Sequence, residues 1–174
     1  IRYGQSYNFE VTVIPAQDIM SITVSSTKIR DAIKISNFKK VNQFLGRPYE
    51  LNGKVIKGNG VGRTIKYPTA NIEIKEIYKL IPPKGVYLVK IYLGENEFSG
   101  MMNIGNRPTI NGLNQTIEVH IFNFDKDIYG KNLKVCFLKK IRKEKKFDSL
   151  PSLKRQLKKD EENCKRILAE HSEN

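Results

Sequence analysis

Six segments of alternating apolar and polar residues, separated by turn signals, fill most of the chain after residue 48. They lie at residues 49–57, 70–75, 85–93, 97–103, 116–124 and 133–141. Such alternation is typical of strands with one buried face, and residues 94–96 and 127–130 are typical of hairpin turns. Because closure of a sheet removes its exposed edges, the pattern predicts a mainly β fold, a small closed barrel of six strands.

The first 45 residues have a different pattern and predict a short α/β segment. Residues 9–14 alternate like one strand, which cannot bury its apolar face without partners. Helices are predicted from Ser25 and over residues 37–45, and Gly46-Arg-Pro48 ends the second of them. We therefore expect a domain boundary between residues 1–45 and 46–174. The hydroxyls and cations of residues 25–30 fit a helix N-cap, or alternatively an anion site.

A third helix is predicted near the C-terminus, with Ser149 or Asp148 as its cap and Pro151 in its first turn. Its apolar residues recur at helical spacing and should pack on the barrel: Leu150, Leu153, Leu157, Cys164, Ile167 and Leu168. The basic run at residues 139–146 precedes this helix. Two interpretations stay open for the run, a solvated loop and an anion-facing flap beside an active site.

The composition limits the possible partners. A net charge of +13 on 174 residues makes nucleic acids, phosphates and membrane surfaces candidates. The lysines are spread along the chain without interleaved aromatic residues, so nucleic-acid binding is disfavoured, and no run is long enough to span a membrane. Cys136 and Cys164 lie in apolar patterns, which predicts two buried free thiols and a cytoplasmic protein. The oligomeric state stays open.

Residues 58–71 contain three alternating glycines followed by Arg63-Thr-Ile-Lys-Tyr-Pro-Thr-Ala-Asn71. A glycine-rich loop between strands allows backbone N–H groups to approach an anion closely. The loop lacks the Gly-Lys-Ser/Thr ending of a Walker A motif, and Arg63 stands where a dinucleotide fingerprint needs its third glycine. The sequence therefore indicates a phosphate loop of a different kind.

Candidate catalytic side chains are few. The chain has two histidines, His120 and His171, so a zinc site or a histidine-based triad is poorly supported. Glu118 and His120 share one face of a predicted strand, opposite Val119. Since burial of a carboxylate is costly without partners or a task, Glu118 is either a paired structural residue or a catalytic base.

Several ordered motifs resemble the signature of riboflavin kinases. They cover about three quarters of the chain: Gly62-Arg-x-x-x-Tyr-Pro-Thr-Ala-Asn71, Gly85-Val-Tyr87, Asn103-Ile-Gly-x-Arg-Pro-Thr109, Glu118-x-His-Ile-Phe122, Asp127-x-Tyr-Gly130 and Ile141-Arg-x-Glu-x-x-Phe-Asp-Ser149. Residues 25–30 resemble the last signature of the adenylyltransferase half of bacterial bifunctional riboflavin kinase/FAD synthetases. The resemblance thus implies a kinase module, residues 46–174, preceded by the C-terminal remnant of an FMN adenylyltransferase-like domain, residues 1–45.

The family resemblance also implies a fold, a reaction and a set of site residues. The expected fold is a six-stranded Greek-key barrel with a C-terminal helix, and the expected reaction phosphorylates riboflavin to FMN with ATP and Mg²⁺. Glu118 would be the catalytic base, and Thr69 and Asn71 would hold the metal. The residues expected at ATP or its phosphates are Gly60, Gly62, Arg63, Lys66 and Asn71. Arg142 and Phe147 would belong to a flap over the flavin.

The chain departs from the family pattern at two positions. Lys66 stands where the family usually has glycine, and it would be strained if that position requires a positive φ. Lys66 could instead add a cation to the phosphate site. Asn123 replaces a more usual aspartate.

The N-terminal histidine-containing motif of adenylyltransferases is not in this sequence, so we expect no FAD synthesis by this chain. Two alternatives to a kinase are a basic nucleic-acid-binding barrel and a non-catalytic flavin-binding regulator.

Overall fold

The structure is a computed structural model and describes residues 2–8, 10–12, 18–19, 22–58, 60–109 and 112–172. Its elements, in chain order, are α1 (Arg2–Tyr7), β1 (Asp18–Ile19), β2 (Ile22–Thr23), α2 (Ser26–Lys34), α3 (Phe38–Leu45), β3 (Glu50–Ile56), α4 (Val61–Thr64), β4 (Ala70–Glu73), β5 (Gly85–Leu93), β6 (Asn96–Thr109), β7 (Gly112–Ile121), β8 (Asn132–Arg142) and α5 (Leu150–Ser172). Strands β3 to β8 form the main sheet, and α5 follows them.

The six strands close into a barrel in the order β3-β4-β7-β6-β5-β8, with antiparallel pairing throughout. Consecutive strands β5, β6 and β7 lie side by side, and β8 returns to the free side of β5. This arrangement is a Greek key. The predicted mainly β fold, with a closed barrel of six strands and a C-terminal helix, is confirmed.

Strands β6 and β7 form a longer hairpin than the alternation predicted. Their pairing continues from Gly100 opposite Ile121 to Thr109 opposite Gly112, so β6 extends six residues beyond the predicted end at Asn103. Gly105 and Pro108 interrupt the apolar pattern without ending the ladder. Strand β7 ends at Ile121 rather than at residue 124, because residues 122–123 form a turn in which Asn123 has a φ of 54°.

The barrel wall separates two apolar layers. Tyr87, Val89 and Ile91 of β5 point into the barrel core, while Val86 and Leu88 point outward beneath α5. The outer layer is closed by Cys164 and Ile167 of α5, with Leu153, Leu157 and Leu168 packed against it. Alternation along each strand therefore supplies both layers.

Helices α2 and α3 pack against the aromatic part of the barrel core. The Phe38 ring lies 4.8 Å from that of Phe137 and 5.8 Å from that of Tyr87, measured between centroids. Ser25 caps α2, as predicted, whereas Asn37, predicted as the first residue of the second helix, is the N-cap of α3; Gly46 ends α3 with a φ of 65°. The domain boundary after residue 45 stays a prediction.

The predicted N-terminal strand lies partly outside the described residues. Within it, residues 10–12 have no regular secondary structure, whereas residues 9, 13 and 14 are not described.

At the start of α2, Ser25 accepts a hydrogen bond from the Lys28 N–H at 3.3 Å, as expected of an N-cap. The Lys28 amine donates to the Thr23 carbonyl at 2.7 Å, and the proposed anion site there is untested.

Ser149 caps helix α5, as its hydroxyl oxygen accepts from the Ser152 N–H at 3.3 Å. Cys136 in β8 and Cys164 in α5 are buried and free, as predicted. His171 lies in the last turn of α5, where side-chain positions are not described. No helix in the described ranges is long and apolar enough to cross a membrane.

Candidate active site

Glu118 lies in the middle of a row of polar residues that crosses three strands. It is paired in register with Asn71 of β4 on one side and with Asn103 of β6 on the other. Directly paired residues of antiparallel strands have side chains on the same face. The neighbouring Ile117 and Val119 belong to the barrel core, so the row Asn71–Glu118–Asn103 lies on the outer face. The sheet thus presents one carboxylate between two amides.

The Glu118 carboxylate is held by the turn that precedes β4. The Thr69 hydroxyl donates to Glu118 Oε2 at 3.1 Å. One residue earlier, the Pro68 carbonyl accepts a hydrogen bond from His120 Nδ1 at 2.8 Å. Two residues of β7, Glu118 and His120, therefore fix the turn on which Thr69 lies.

The Tyr67 side chain joins this turn to helix α5. Its ring lies 5.1 Å from the His120 ring, and Glu161 of α5 lies near enough to its hydroxyl to affect its pKa. Burial, followed by the hydrogen bond and negative charge of Glu161, raises the pKa of Tyr67 to about 12. Tyr67 therefore stays neutral at physiological pH and serves as a hydrogen-bond donor.

The glycine-rich loop between β3 and β4 packs tightly against its own chain. A Cβ atom on Gly62 would lie 2.1 Å from the Tyr67 carbonyl oxygen, and one on Gly58 would lie 2.0 Å from Asn71 Nδ2. A side chain at Gly62 would require the backbone of the loop to move, and one at Gly58 would displace the Asn71 side chain. The one-turn helix α4, which was not predicted from the sequence, lies inside this loop. The glycines thus permit close packing around Thr69 and Asn71.

Lys66 has a φ of 65°. The position therefore does require the positive φ at which a lysine is expected to be strained. Its backbone N–H donates to the Arg63 carbonyl at 3.2 Å, which closes the turn after α4. The side chain is exposed. A lysine thus occupies a backbone conformation that favours glycine.

A cleft of about 210 Å³ opens between the outer face of the barrel and helix α5. Glu118 and Thr69 lie in a lining that is otherwise largely apolar or aromatic. The other lining residues are Val61, Gly62, Ile65, Tyr67, Val86, Met101, Asn103, His120, Arg142, Glu144, Lys145, Phe147, Leu153 and Leu157. We call this space the apolar cleft. It suits a flat apolar ring system that carries one polar group toward the carboxylate.

A second cleft, of about 430 Å³, lies on the other side of Thr69. We call it the loop cleft, because much of its lining comes from the loop between β7 and β8. Its lining residues are Arg63, Pro68, Thr69, Ala70, Val119, Ile121, Phe124, Asp125, Lys126, Asp127, Ile128 and Tyr129. Thr69 lines both clefts. A group bound in one cleft could therefore meet a group bound in the other at this residue.

The structure brings together most of the site residues named from sequence. Glu118, Thr69, Gly62, Arg142 and Phe147 line the apolar cleft, and Arg63 lines the loop cleft with Thr69. Three other predicted residues line neither cleft: Gly60, Lys66 and Asn71. Asn71 nevertheless lies beside Glu118 in the strand register.

Several lining residues were missed by the sequence analysis. Asn103 was recognised only as part of a motif, although its pairing with Glu118 places it in the site. Phe124, Ile128 and Tyr129 were assigned to a strand end and a turn, and they form a wall of the loop cleft. For these three residues, the sequence signal that could have indicated a binding wall was the presence of aromatic and aliphatic side chains around a predicted turn. The contribution of α5 had no such local signal.

Comparison with known proteins identifies the family. A family model for riboflavin kinase matches residues 45–168. A bifunctional riboflavin kinase/FMN adenylyltransferase from Haemophilus influenzae is 48% identical over 143 residues, covering 82% of this chain and 46% of that protein. The protein of the same name from Escherichia coli is 39% identical over 161 residues, covering 92% and 51%. The chain thus spans about half the length of these curated relatives.

A similar solved structure is the crystal structure of a macrolide-efflux protein from Streptococcus pneumoniae. It has a TM-score of 0.82 and 37% sequence identity, covering 94% of this chain and 53% of that chain. The likeness supports the architecture described above. The family model spans well over half of the chain and includes both Thr69 and Glu118. This chain therefore belongs to the riboflavin kinase family.

Proposed function

We propose that this chain transfers the terminal phosphoryl group of ATP to the 5′-hydroxyl of riboflavin and so produces FMN. The observation that carries the proposal is the hydrogen bond between Thr69 and Glu118 at the point where the two clefts meet. Phosphoryl transfer needs its nucleophile and its donor in line, with compensation for the charge on the phosphate. Two clefts that share one residue supply such an arrangement.

The apolar cleft suits the flavin. Met101, Leu153 and Leu157 provide apolar contact for an isoalloxazine ring, and Phe147 adds an aromatic face. The lining contains two carboxylates, Glu118 and Glu144, and Glu118 is the one that accepts a hydrogen bond from Thr69. A ribityl chain extended from the ring would bring its terminal hydroxyl to Glu118.

The loop cleft suits the nucleotide. Phe124, Ile128 and Tyr129 offer an apolar and aromatic wall for a base. Arg63 and Lys126 offer cations to phosphate oxygens in a lining that also contains Asp125 and Asp127. Gly60 and Gly62 lie in the same loop as Arg63, and we assign their backbone to the phosphates, although Gly62 lines the apolar cleft and Gly60 lines neither cleft.

Glu118 is proposed as the general base. A primary alcohol is a weak nucleophile, and a carboxylate at hydrogen-bond distance can accept its proton as the phosphoryl group is transferred. Thr69 holds Glu118 Oε2 and leaves Oε1 for the substrate. Asn71 and Asn103, on either side, orient polar groups near the same carboxylate.

The residues present fit a magnesium ion that is bound mainly through phosphate oxygens. Thr69 and Asn71 would hold Mg²⁺ with a hydroxyl and an amide oxygen, both of which are hard ligands suited to this ion. The described residues contain no cluster of three His, Cys, Asp or Glu side chains that could form an all-protein cage. When bound, Mg²⁺ would neutralise charge on the transferring phosphate.

The decisive experiment compares Glu118→Gln with the unaltered chain in an assay of riboflavin, ATP and Mg²⁺ for FMN. The variant keeps the size and polarity of the side chain but removes the base. We expect turnover to fall about 10²–10⁴-fold, while riboflavin and ATP binding change little.

Glu73→Gln is the matched control, since Glu73 is an exposed carboxylate on β4 and should leave turnover unchanged. Full turnover in Glu118→Gln would exclude Glu118 as the base. Absence of FMN formation by the unaltered chain, together with salt-sensitive RNA binding, would favour a nucleic-acid-binding barrel instead.

A further inference from the structure

Helix α5 carries a buried carboxylate on its apolar face. Asp160 is 2% exposed and follows the same three- and four-residue spacing as Leu157 and Cys164. Burial of a charged group is strongly unfavourable unless the group is paired and hydrogen-bonded. An apolar residue would continue the stripe at this position. The charge therefore calls for an explanation other than packing.

Arg142, the last residue of β8, supplies the partner. Its Nε donates to Asp160 Oδ1 and Oδ2 at 3.0 and 2.9 Å, and its Nη2 lies 2.8 Å from Oδ2. Gln156 donates to Asp160 Oδ1 at 2.9 Å. The remaining nitrogen, Nη1, donates to the Lys143 carbonyl at 3.0 Å. Each guanidinium nitrogen of Arg142 thus already has an acceptor within the chain.

The orientation of Arg142 determines what lies against its flat face. The centre of its guanidinium lies 5.7 Å from the centroid of the Phe147 ring, a cation–π distance. Phe147 lines the apolar cleft together with Leu153 and Leu157 of α5. Asp160 therefore reaches the wall of the cleft through Arg142.

The segment between Arg142 and Phe147 has a second attachment. Glu144 Oε1 accepts the Asn106 backbone N–H at 3.2 Å, which joins the segment to β6. Gly105 leaves the necessary space, because a Cβ atom there would lie 2.5 Å from the same oxygen. Contacts at Arg142 and Glu144 thus hold the first part of this segment, and Phe147 packs against the Arg142 guanidinium.

We infer that Asp160 is a positioning residue of the flavin site, which fixes Arg142 so that Phe147 stands as one wall of the apolar cleft. The inference rests on the proposed function, because it assigns the apolar cleft to the flavin. Arg142 is by the same geometry a positioning residue as well, because its contacts with Asp160 fix the guanidinium against Phe147. A purely stabilising role explains the pair less well, since buried ion pairs contribute little more than apolar pairs of equal volume.

The test is Asp160→Asn, which keeps the size of the side chain and removes its charge. In the FMN assay we expect KM for riboflavin to rise about tenfold, as follows from loss of one charge-assisted hydrogen bond. The kcat value and KM for ATP should change by less than about twofold, because Phe147 lines the cleft assigned to the flavin and not the loop cleft assigned to the nucleotide. Glu162→Gln is the matched control: it removes an exposed carboxylate two residues along α5 and should change nothing.

A double-mutant cycle separates positioning from stabilisation. If Asp160 acts through Phe147, Asp160→Asn should raise KM for riboflavin in the unaltered chain but not in the Phe147→Ala background. Equal effects in both backgrounds would overturn the inference.

Arg142→Lys provides a variant that retains the fold, because its ammonium still pairs with the buried Asp160. Lysine lacks the flat guanidinium, so KM for riboflavin should again rise about tenfold. An unchanged KM in this variant would contradict the positioning role.

The outcomes separate this inference from the proposed function. FMN formation by the unaltered chain with an unchanged riboflavin KM in Asp160→Asn would overturn the inference alone. If the unaltered chain forms no FMN, the proposed function fails. Quenching of riboflavin fluorescence then gives a dissociation constant, and the same tenfold rise in Asp160→Asn would support the positioning role. An unchanged constant, or no binding, would overturn it.

Discussion

At the scale of single residues, Lys66 has a backbone conformation that costs a lysine energy and a glycine almost none. Its φ of 65° lies in the left-handed region, which costs an L-residue about 1–2 kcal/mol. Glycine would remove that cost. It would also lower the free energy of unfolding by about 0.4–1 kcal/mol, because the unfolded chain has more conformational freedom with glycine. We therefore expect Lys66→Gly to stabilise the protein by about 0.5–1 kcal/mol, measured by denaturant unfolding.

Lys57→Gly is the control, because Lys57 is also exposed but has no positive φ. It should lower the free energy of unfolding by about 0.4–1 kcal/mol. Equal losses in the two variants would show that Lys66 is not strained. A higher KM for ATP in Lys66→Gly would show that the side chain serves the nucleotide as well.

At the scale of elements, α2 and α3 contribute to the same core as the barrel. The Phe38 ring packs against Phe137 and Tyr87 and is 1% exposed. Truncation of a fully buried phenylalanine leaves a cavity, so Phe38→Ala should cost about 3–5 kcal/mol. Because the lost contacts belong to barrel residues, the barrel and the helices should unfold together at a lower denaturant concentration.

Ile35→Ala serves as the comparison, since Ile35 is 74% exposed at the end of α2. Its effect on the free energy of unfolding should stay within about 0.5 kcal/mol. Circular dichroism and tyrosine fluorescence can follow the transition. A separate barrel transition that Phe38→Ala leaves unchanged would mean that α2 and α3 form an independent unit.

At the scale of the whole molecule, the two thiols report on the integrity of the barrel and of its helical cover. Cys136 lies in β8, and Cys164 lies in α5 against the outer face of the barrel. Burial raises the pKa of Cys136, and burial together with the charges of Asp160 and Glu161 raises the pKa of Cys164 to about 12. At pH 8 neither thiol should react with a disulfide reagent in the native protein.

Both thiols should react together once guanidinium unfolds the chain, and the absorbance of the released thiolate measures the reaction. Rapid reaction of one thiol per native molecule would contradict the packing of α5 on the barrel. Glu162→Gln, which alters an exposed residue of α5, should leave the reaction unchanged.

Local patterns in the sequence were enough to predict much of the fold and part of the site. Alternation predicted the strands because each has one face in the barrel core, and hydroxyl residues predicted the starts of α2 and α5 through their caps. Motif resemblance named Glu118 and Thr69. These signals depend on neighbouring residues, and a single chain displays them without any knowledge of distant contacts.

Other features depend on contacts between distant parts of the chain, and only the folded structure supplies those. The long β6–β7 hairpin is held by cross-strand pairing that continues through Gly105 and Pro108, where the local pattern stops. Thr69 meets Glu118 across 49 residues, and Asp160 of α5 meets Arg142 of β8. Sequence periodicity shows which face a residue occupies, but not which residue lies opposite it. The burial of Asp160 and the meeting of the two clefts at Thr69 both result from packing between elements that are distant in the sequence.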